Sequence, residues 1–166
     1  TVKTEWQLWD APWEYEGLTE EQKKEELQKY IKAMEKWAAL SETLTDEMPR
    51  KSFQICTPEG EYVGWCGSYF INEDCCFDEN GDRLAVGIDL PEESARRKGL
   101  ATHALQLFMA YLRTLGFTEL YTQTWSGNVR MIKLAEKLGF TECCRKQKLR
   151  MVRGQQYDGL TFRIKL

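Results

Sequence analysis

The amino-acid sequence predicts a mixed α/β (α+β) fold, with a single central, mostly antiparallel sheet flanked by helices. Segments with apolar residues at three- and four-residue spacing, typical of amphipathic helices, are interspersed with segments rich in aromatic and β-branched residues, typical of strands. In chain order they give a helix, three strands, a helix, a strand, a helix and two strands. A chain of 166 residues has the ordinary size of one domain, so we expect a single domain over residues 1–166.

The first helix is predicted from a capping box. Thr19 is followed three residues later by Gln22, and helical spacing continues to about Leu40. The opposite face carries glutamates and lysines, which is typical of a solvated surface. One apolar face is made by Leu27, Tyr30, Ile31, Met34 and Trp37.

The segment before this helix is aromatic and irregular. It holds Trp6, Trp9, Trp13 and Tyr15 among acidic residues, and Pro12 interrupts it. Because aromatic side chains lie mostly in protein cores, we interpret the segment as a loop packed over the core. A loop that lines a ligand pocket is the alternative.

The remaining elements follow from periodicity and from turn residues. Strands are expected over 51–57, 62–72, 84–90, 119–125, 140–152 and 157–166, and helices over 100–115 and 128–138. Gly116 and Gly139 are expected to end the two helices as C′ residues, and Arg153-Gly154 to join the last two strands.

Composition narrows the function. The formal net charge of −3 argues against non-specific nucleic-acid binding, which leaves a nucleic-acid-binding domain as a poorer alternative. That alternative would use the basic residues Arg145, Lys146, Lys148, Arg150 and Arg153. With no stretch apolar enough to span a bilayer and no signal-peptide pattern, a cytoplasmic protein without a membrane partner is expected.

The six cysteines, which include two vicinal pairs, show no Cys-x-x-Cys spacing. A zinc site is therefore not expected, and the cysteines are interpreted as free thiols, buried or half-buried in strands.

The stretch 96–101, Arg-Arg-Lys-Gly-Leu-Ala, lies between a predicted strand and a predicted helix. The first N–H groups of a helix have no intrahelical partner and carry the positive end of the helix dipole. Gly99 would let an anion approach the backbone, and three basic side chains add charge beside it. The stretch therefore predicts an anion site, with a solvated basic turn as the alternative.

Two motifs in register give a family resemblance. Arg96-x-x-Gly99-x-Ala101 resembles the coenzyme A diphosphate motif of the GNAT superfamily of acyl-CoA-dependent N-acetyltransferases. Residues 128–140, from Asn128 to Lys-Leu-Gly-Phe, resemble the Asn-led helix of that family. The resemblance covers roughly residues 53–166 and points to the branch that includes the ribosomal-protein-alanine acetyltransferases.

This resemblance implies acetyl-CoA as co-substrate, a primary amine as acceptor, direct attack of the neutral amine and no metal. The thioester would lie where the strands ending at Leu90 and Trp125 separate. The coenzyme-binding residues that the resemblance implies are Ile88, Asp89, Leu90, Arg96, Arg97, Lys98, Gly99, Leu100, Ala101, Thr102, Asn128 and Lys133.

The catalytic residues depart from the family pattern. Ala135 stands where many relatives carry a tyrosine acid, Met131 where a hydroxyl residue is common, and Ala85 where a glutamate is common. The spacing from Pro91 to Gly99 is also slightly longer.

Three residues are the catalytic candidates that remain. Asp89 is a candidate base or else a surface carboxylate, Ser126 a candidate acid or else a turn residue, and Asn128 a coenzyme contact or else a helix cap. His103 is expected to point away from the cleft.

The acceptor stays open at this stage. Acidic residues of the first helix and of the loop at 73–82 favour either a cationic amine or simply a solvated surface, and a protein N-terminus is a further possibility. The sequence begins without the first strand and helix usual in the family. A homodimer is possible, and the alternative function is a non-catalytic acyl-CoA-binding module that acts as a sensor or assembly component.

Overall fold

The computed structural model describes residues 8–14, 16–45 and 48–166. It has three α-helices and one six-stranded sheet in the described part of the chain. The helices are α1 (Glu20–Glu42), α2 (Leu100–Thr114) and α3 (Val129–Lys137). The strands are β1 (Ser52–Cys56), β2 (Tyr62–Ile71), β3 (Arg83–Asp89), β4 (Glu119–Trp125), β5 (Thr141–Val152) and β6 (Gln155–Lys165).

The sheet has the strand order β1-β2-β3-β4-β6-β5. All neighbouring strands pair antiparallel except β3 and β4, which are joined through α2 and run parallel. A parallel pair needs such a crossover, whereas the antiparallel pairs are joined by short turns or loops. The predicted mixed, mostly antiparallel fold is confirmed.

The two faces of the sheet carry different cores. Because side chains alternate along a strand, Leu84 and Val86 of β3 join the main core, while Ala85 joins a second, smaller cluster. The main core contains buried side chains of α2, including Leu105 and Leu112. The second cluster consists of Ile71, Ala85 and Tyr121, with Tyr69 packed against it.

The predicted helix ends are confirmed. The capping box holds, since the Thr19 N–H donates to Gln22 Oε1 at 2.9 Å and the Gln22 N–H donates to Thr19 Oγ1 at 3.2 Å. Gly116 and Gly139 follow α2 and α3 with φ values of 93° and 91°, in the left-handed region that favours glycine.

One expectation, that on the cysteines, needs correction, and the apolar face predicted for α1 is exposed. The apolar face of α1 is not buried in the described structure: Leu27, Tyr30 and Ile31 are 47%, 49% and 38% exposed, while the side chains of Met34 and Trp37 lie outside the described part. All six cysteines are free thiols, as predicted, but three of them are exposed. The vicinal pair at 75–76 lies in the loop after β2 rather than in a strand.

The basic residues of β5 already have partners within the chain. Arg145 forms ion pairs with Glu142 and Asp158 at 2.7 and 2.8 Å, and Arg150 stacks over the Trp13 ring at 4.4 Å. The basic charge of β5 is thus partly compensated by its neighbours. Within the described residues, no helix combines the length and apolarity needed to cross a bilayer.

The parallel pairing between β3 and β4 is short. Its backbone register is the single pair Ala85 and Tyr121, and next to it the buried Thr122 Oγ1 donates to the Val86 carbonyl at 2.8 Å. Beyond this point the strands separate, since Ile88 and Thr124 both line an open cleft.

Replacing Thr122 by valine should destabilise the protein by about 1 kcal/mol, because it removes a buried hydrogen bond at nearly constant volume. The loss of stability is obtained from the free energy of unfolding, measured by denaturation in urea. Thr124→Val is the matched control in the same strand, since Thr124 forms no hydrogen bond to a described side chain, and it should change stability by less than about 0.5 kcal/mol. Equal effects of the two variants would contradict the role of Thr122.

Candidate active site

The cleft between the separated strands has a volume of about 1870 Å³. It is lined by the end of β3, the middle of β2, Gln123 and Thr124 near the end of β4, the start of α2 and residues along α3, and it extends to β1 and to Tyr30, Ala38 and Leu40 of α1. Of the predicted coenzyme and catalytic residues, those that line the cleft are Ile88, Asp89, Leu90, Arg96, Arg97, Gly99, Leu100, Ala101, Thr102, Asn128 and Lys133. The predicted residues are therefore largely brought together.

The turn before α2 has the geometry of an anion cradle. Arg97 and Gly99 both have left-handed φ values, 61° and 82°, and Gly99 is the N-cap of α2. A Cβ atom added to Gly99 would meet no heavy atom within 4 Å, so the space above this backbone is open. Turns of this kind direct successive N–H groups towards an anion.

Arg96 fixes the end of β3 to this turn. Its guanidinium donates from Nε to the Leu90 carbonyl at 3.0 Å and from a terminal nitrogen to the Pro91 carbonyl at 3.1 Å. Between Pro91 and Gly99 the chain forms a short 3-10 helix, Glu93–Ala95.

Asp89, the last residue of β3, is a half-buried carboxylate facing the cleft. Loss of hydration raises its pKa from the ordinary value to about 7, and the negative charge of Asp10 adds to the effect. Loss of hydration also raises the pKa of Asp10, with a further contribution from Glu14. Asp10 is nevertheless accessible to solvent, which fits a side chain in an open concave cleft.

The segment 8–14 lies against the cleft through contacts with β4 and α3. The Trp9 carbonyl accepts hydrogen bonds from Trp125 Nε1 at 2.8 Å and from Asn128 Nδ2 at 2.9 Å. Arg130 stacks over the Trp9 ring at 4.5 Å, and Trp13 packs edge-on against Trp125 at 6.3 Å. These contacts hold Asp10 at the cleft.

Asn128 is the helix cap that was one of its two expected roles, and it makes a further contact with the segment 8–14. Its Oδ1 accepts from the Met131 N–H at 3.2 Å, so it is the N-cap of α3, and its Nδ2 binds Trp9. Met131 lines the cleft, whereas Ala135 is 1% exposed within the core. The position that carries a tyrosine acid in many relatives thus points into the core here.

Ser126, Lys98 and His103 do not line the cleft. Ser126 Oγ accepts a hydrogen bond from the Asp158 N–H at 3.0 Å, which is the turn-residue role and leaves the predicted acid role without geometric support. Lys98 is exposed on the coenzyme turn, and His103 is exposed on α2, as expected.

The cleft residues that were not predicted include Asp10, Tyr69 and Gln123. The Tyr69 hydroxyl donates to Gln123 Oε1 at 3.4 Å, while Gln123 Nε2 donates to the Cys75 carbonyl at 2.9 Å and to Thr161 Oγ1 at 3.0 Å. Loss of hydration raises the pKa of Tyr69, so its hydroxyl stays protonated. Strand alternation could have indicated Tyr69 and Gln123, because both lie on the same sheet face as Asp89.

The described residues contain no group of three or more His, Cys, Asp or Glu side chains arranged to hold a metal ion. The site therefore consists of a turn with a left-handed backbone at Arg97 and Gly99, a half-buried carboxylate with a second carboxylate nearby, and polar groups from β2 and β4.

The architecture and cleft correspond to those of acetyltransferases. The model of the acetyltransferase (GNAT) domain family matches residues 3–141, and the chain belongs to this family. The match begins nearer to the N-terminus than the two sequence motifs indicated. No curated protein matches the sequence significantly.

Solved structures support the same fold. The ribosomal-protein-alanine N-acetyltransferase from Brucella melitensis is 20% identical with a TM-score of 0.57, and the match covers 68% of this chain and 67% of that one. A phosphinothricin acetyltransferase from Sinorhizobium meliloti, in complex with acetyl-CoA, is 17% identical with a TM-score of 0.58 and coverages of 69% and 60%. An N-acetyltransferase from Staphylococcus aureus is 18% identical with a TM-score of 0.56 and coverages of 66% and 64%.

The end of β3 depends on a close backbone approach at Gly64. A Cβ atom there would lie 2.1 Å from the Asp89 carbonyl oxygen, so Gly64→Ala must displace the Asp89 backbone. We expect a loss of about 1–3 kcal/mol in the free energy of unfolding, the usual range for overpacking. Gly67→Ala is the control in the same strand, because its nearest neighbour would lie at an ordinary 3.5 Å. An unchanged stability of Gly64→Ala would show that the close approach is not a constraint.

Proposed function

We propose that this protein is an N-acetyltransferase that transfers the acetyl group of acetyl-CoA to a primary amine. The observation that carries the proposal is the position of Asp89, a half-buried carboxylate at the end of β3 in the same cleft as the anion-binding turn. Family membership and the acetyl-CoA complex of a relative with this fold support acetyl-CoA as the donor.

The donor side uses the turn at 96–99 and the start of α2. Coenzyme A carries a diphosphate, and the left-handed backbone at Arg97 and Gly99 with the open space above it fits such an anion. Lys133 of α3 lines the same cleft and adds positive charge. Arg96 would act mainly by holding the Leu90 carbonyl in place.

The acceptor side needs a base. An alkylammonium ion has an ordinary pKa of about 10.4, so it must lose a proton before its nitrogen can attack the thioester carbonyl. Asp89, with a pKa of about 7, is ionised in slightly alkaline solution and holds a proton better than an ordinary carboxylate. The amine–carbonyl bond forms, the carbon–sulfur bond breaks, and the coenzyme thiolate leaves with the bonding electron pair.

The thiolate then needs a proton. Ser126 is occupied by Asp158 outside the cleft, whereas the protonated Tyr69 hydroxyl lines it. Tyr69 is therefore a better candidate than Ser126, with water as the other source. The departures at Ala135 and Met131 are compatible with transfer that depends on positioning and on Asp89.

The donor site can be tested with Gly99→Glu. Acetyl-CoA should raise the melting temperature of the unmodified protein, because a ligand that binds only the native state stabilises it. The added carboxylate should repel the diphosphate and abolish this increase. Gly116→Glu is the matched control: Gly116 lies at the other end of α2 with a similar left-handed φ of 93° and open space around it.

Both variants carry similar backbone strain, so their melting temperatures without ligand should fall by similar amounts. Only Gly99→Glu should lose the increase caused by acetyl-CoA. An increase retained in Gly99→Glu would show that the turn is not the diphosphate site. Binding of acetyl-CoA without turnover on any amine would instead favour the non-catalytic module.

The base can be tested through the pH dependence of kcat/KM. Since Asp89 must be ionised to take a proton, the rate should fall about tenfold per pH unit below pH about 7 and level off above it. Asp89→Asn should lower kcat/KM by about 10²–10⁴-fold and remove this limb of the profile. Its affinity for acetyl-CoA should change little. An Asp89→Asn enzyme that keeps the same pH profile would exclude Asp89 as the base.

A further inference from the structure

The segment 8–14 brings a second carboxylate, that of Asp10, to the cleft beside Asp89. Neither carboxylate forms a hydrogen bond or an ion pair with another described residue. The charged groups that act on them among the described residues are acidic: Asp10 acts on Asp89, and Glu14 acts on Asp10. Two carboxylates without a cation are unfavourable in a crowded cleft, and a bound cation would relieve this.

Arg50, Lys51, Lys133 and Lys137 also line the cleft, but no described basic residue is among the charges that act on Asp89 or Asp10. Arg96 is bound to carbonyls at the end of β3, and Arg130 stacks on the Trp9 ring. Arg97 lies on the coenzyme turn. The cleft therefore presents positive charge towards an anionic donor and negative charge at the end of β3.

We propose that Asp10 is an acceptor-specificity residue, and that together with Asp89 it selects a primary amine that carries a second positive charge, such as an aliphatic diamine. This inference rests on the proposed acetyl transfer and adds the acceptor class. Asp89 takes the proton of the reacting nitrogen and is then neutral. Asp10 takes no part in this proton transfer, and its carboxylate can pair with the second ammonium group of the acceptor.

The position of Asp10 is built into the fold. Its neighbour Trp9 is held through its carbonyl by Trp125 and Asn128 and through its ring by Arg130. Fixing the backbone next to Asp10 in this way limits how far its carboxylate can move from Asp89. The Tyr69 hydroxyl lies close enough to Asp10 for the charge of Asp10 to contribute to its raised pKa.

The test uses three acceptors of nearly equal length with acetyl-CoA at pH 8: 1,4-diaminobutane, butylamine and 4-aminobutanoate. They differ in whether the far end is an ammonium, a methyl or a carboxylate group. We expect kcat/KM to fall in that order, with the diamine exceeding 4-aminobutanoate by tenfold or more, on the order expected for a charge pair in a cleft.

Asp10→Asn should lower kcat/KM for the diamine roughly tenfold more than it lowers kcat/KM for butylamine, mainly through KM. Asp10→Glu, which keeps the negative charge, should retain much of the diamine preference that Asp10→Asn loses. Glu14→Gln is the control, because it removes the same charge from an exposed neighbour of Asp10. That variant should keep the order of the three acceptors.

A purely structural role of Asp10 would change all three acceptors and the affinity for acetyl-CoA together. Equal kcat/KM values for the three acceptors, or a diamine preference unchanged in Asp10→Asn, would overturn the proposal while leaving acetyl transfer intact. Acetyl-CoA binding with no transfer to any of the three amines would overturn both.

Discussion

The separation of β3 from β4 is the constraint on which the cleft depends. Two strands that paired along their whole length would leave no room between them, whereas here the register is limited to Ala85 and Tyr121. The hydrogen bond from Thr122 to Val86 holds the two strands together beside this pair, so they diverge from a fixed point. Asp89 at the end of β3 and Gln123 near the end of β4 line the cleft because the two strands diverge here.

The acceptor side depends on contacts between distant parts of the sequence. Trp9 is separated by 116 residues from Trp125 and by 119 from Asn128, yet both donate to its carbonyl. Asn128 thereby links the cap of α3, the segment 8–14 and the cleft. Because one side chain makes these contacts, the position of α3 and the position of the segment 8–14 depend on each other.

Local signals predicted most of the fold and the donor side. Capping residues, glycines after helices and alternation along strands act within a few positions, which is why the ends of α2 and α3 and the turn at Gly99 were found from the sequence. Asp10 was not found, because its approach to Asp89 depends on tertiary contacts of Trp9. The hydrogen bond between Ser126 and Asp158 of β6 was not predicted for a similar reason, because it depends on sheet register.

An acetyltransferase of this kind places opposite electrostatic demands on one cleft. The diphosphate of the donor requires positive charge, but positive charge beside Asp89 would lower its pKa and weaken its hold on the proton of the amine. In this structure the carboxylate lies at Asp89 and the basic turn lies at residues 96–99, so the two demands are met at different positions along the chain. The Arg96 guanidinium is bound to two carbonyls at the end of β3, while the nearby charge that acts on Asp89 is the negative one of Asp10. Burial raises the pKa of Asp89 and the charge of Asp10 adds to it, so in the proposed reaction the second carboxylate would both strengthen the base and favour a cationic acceptor.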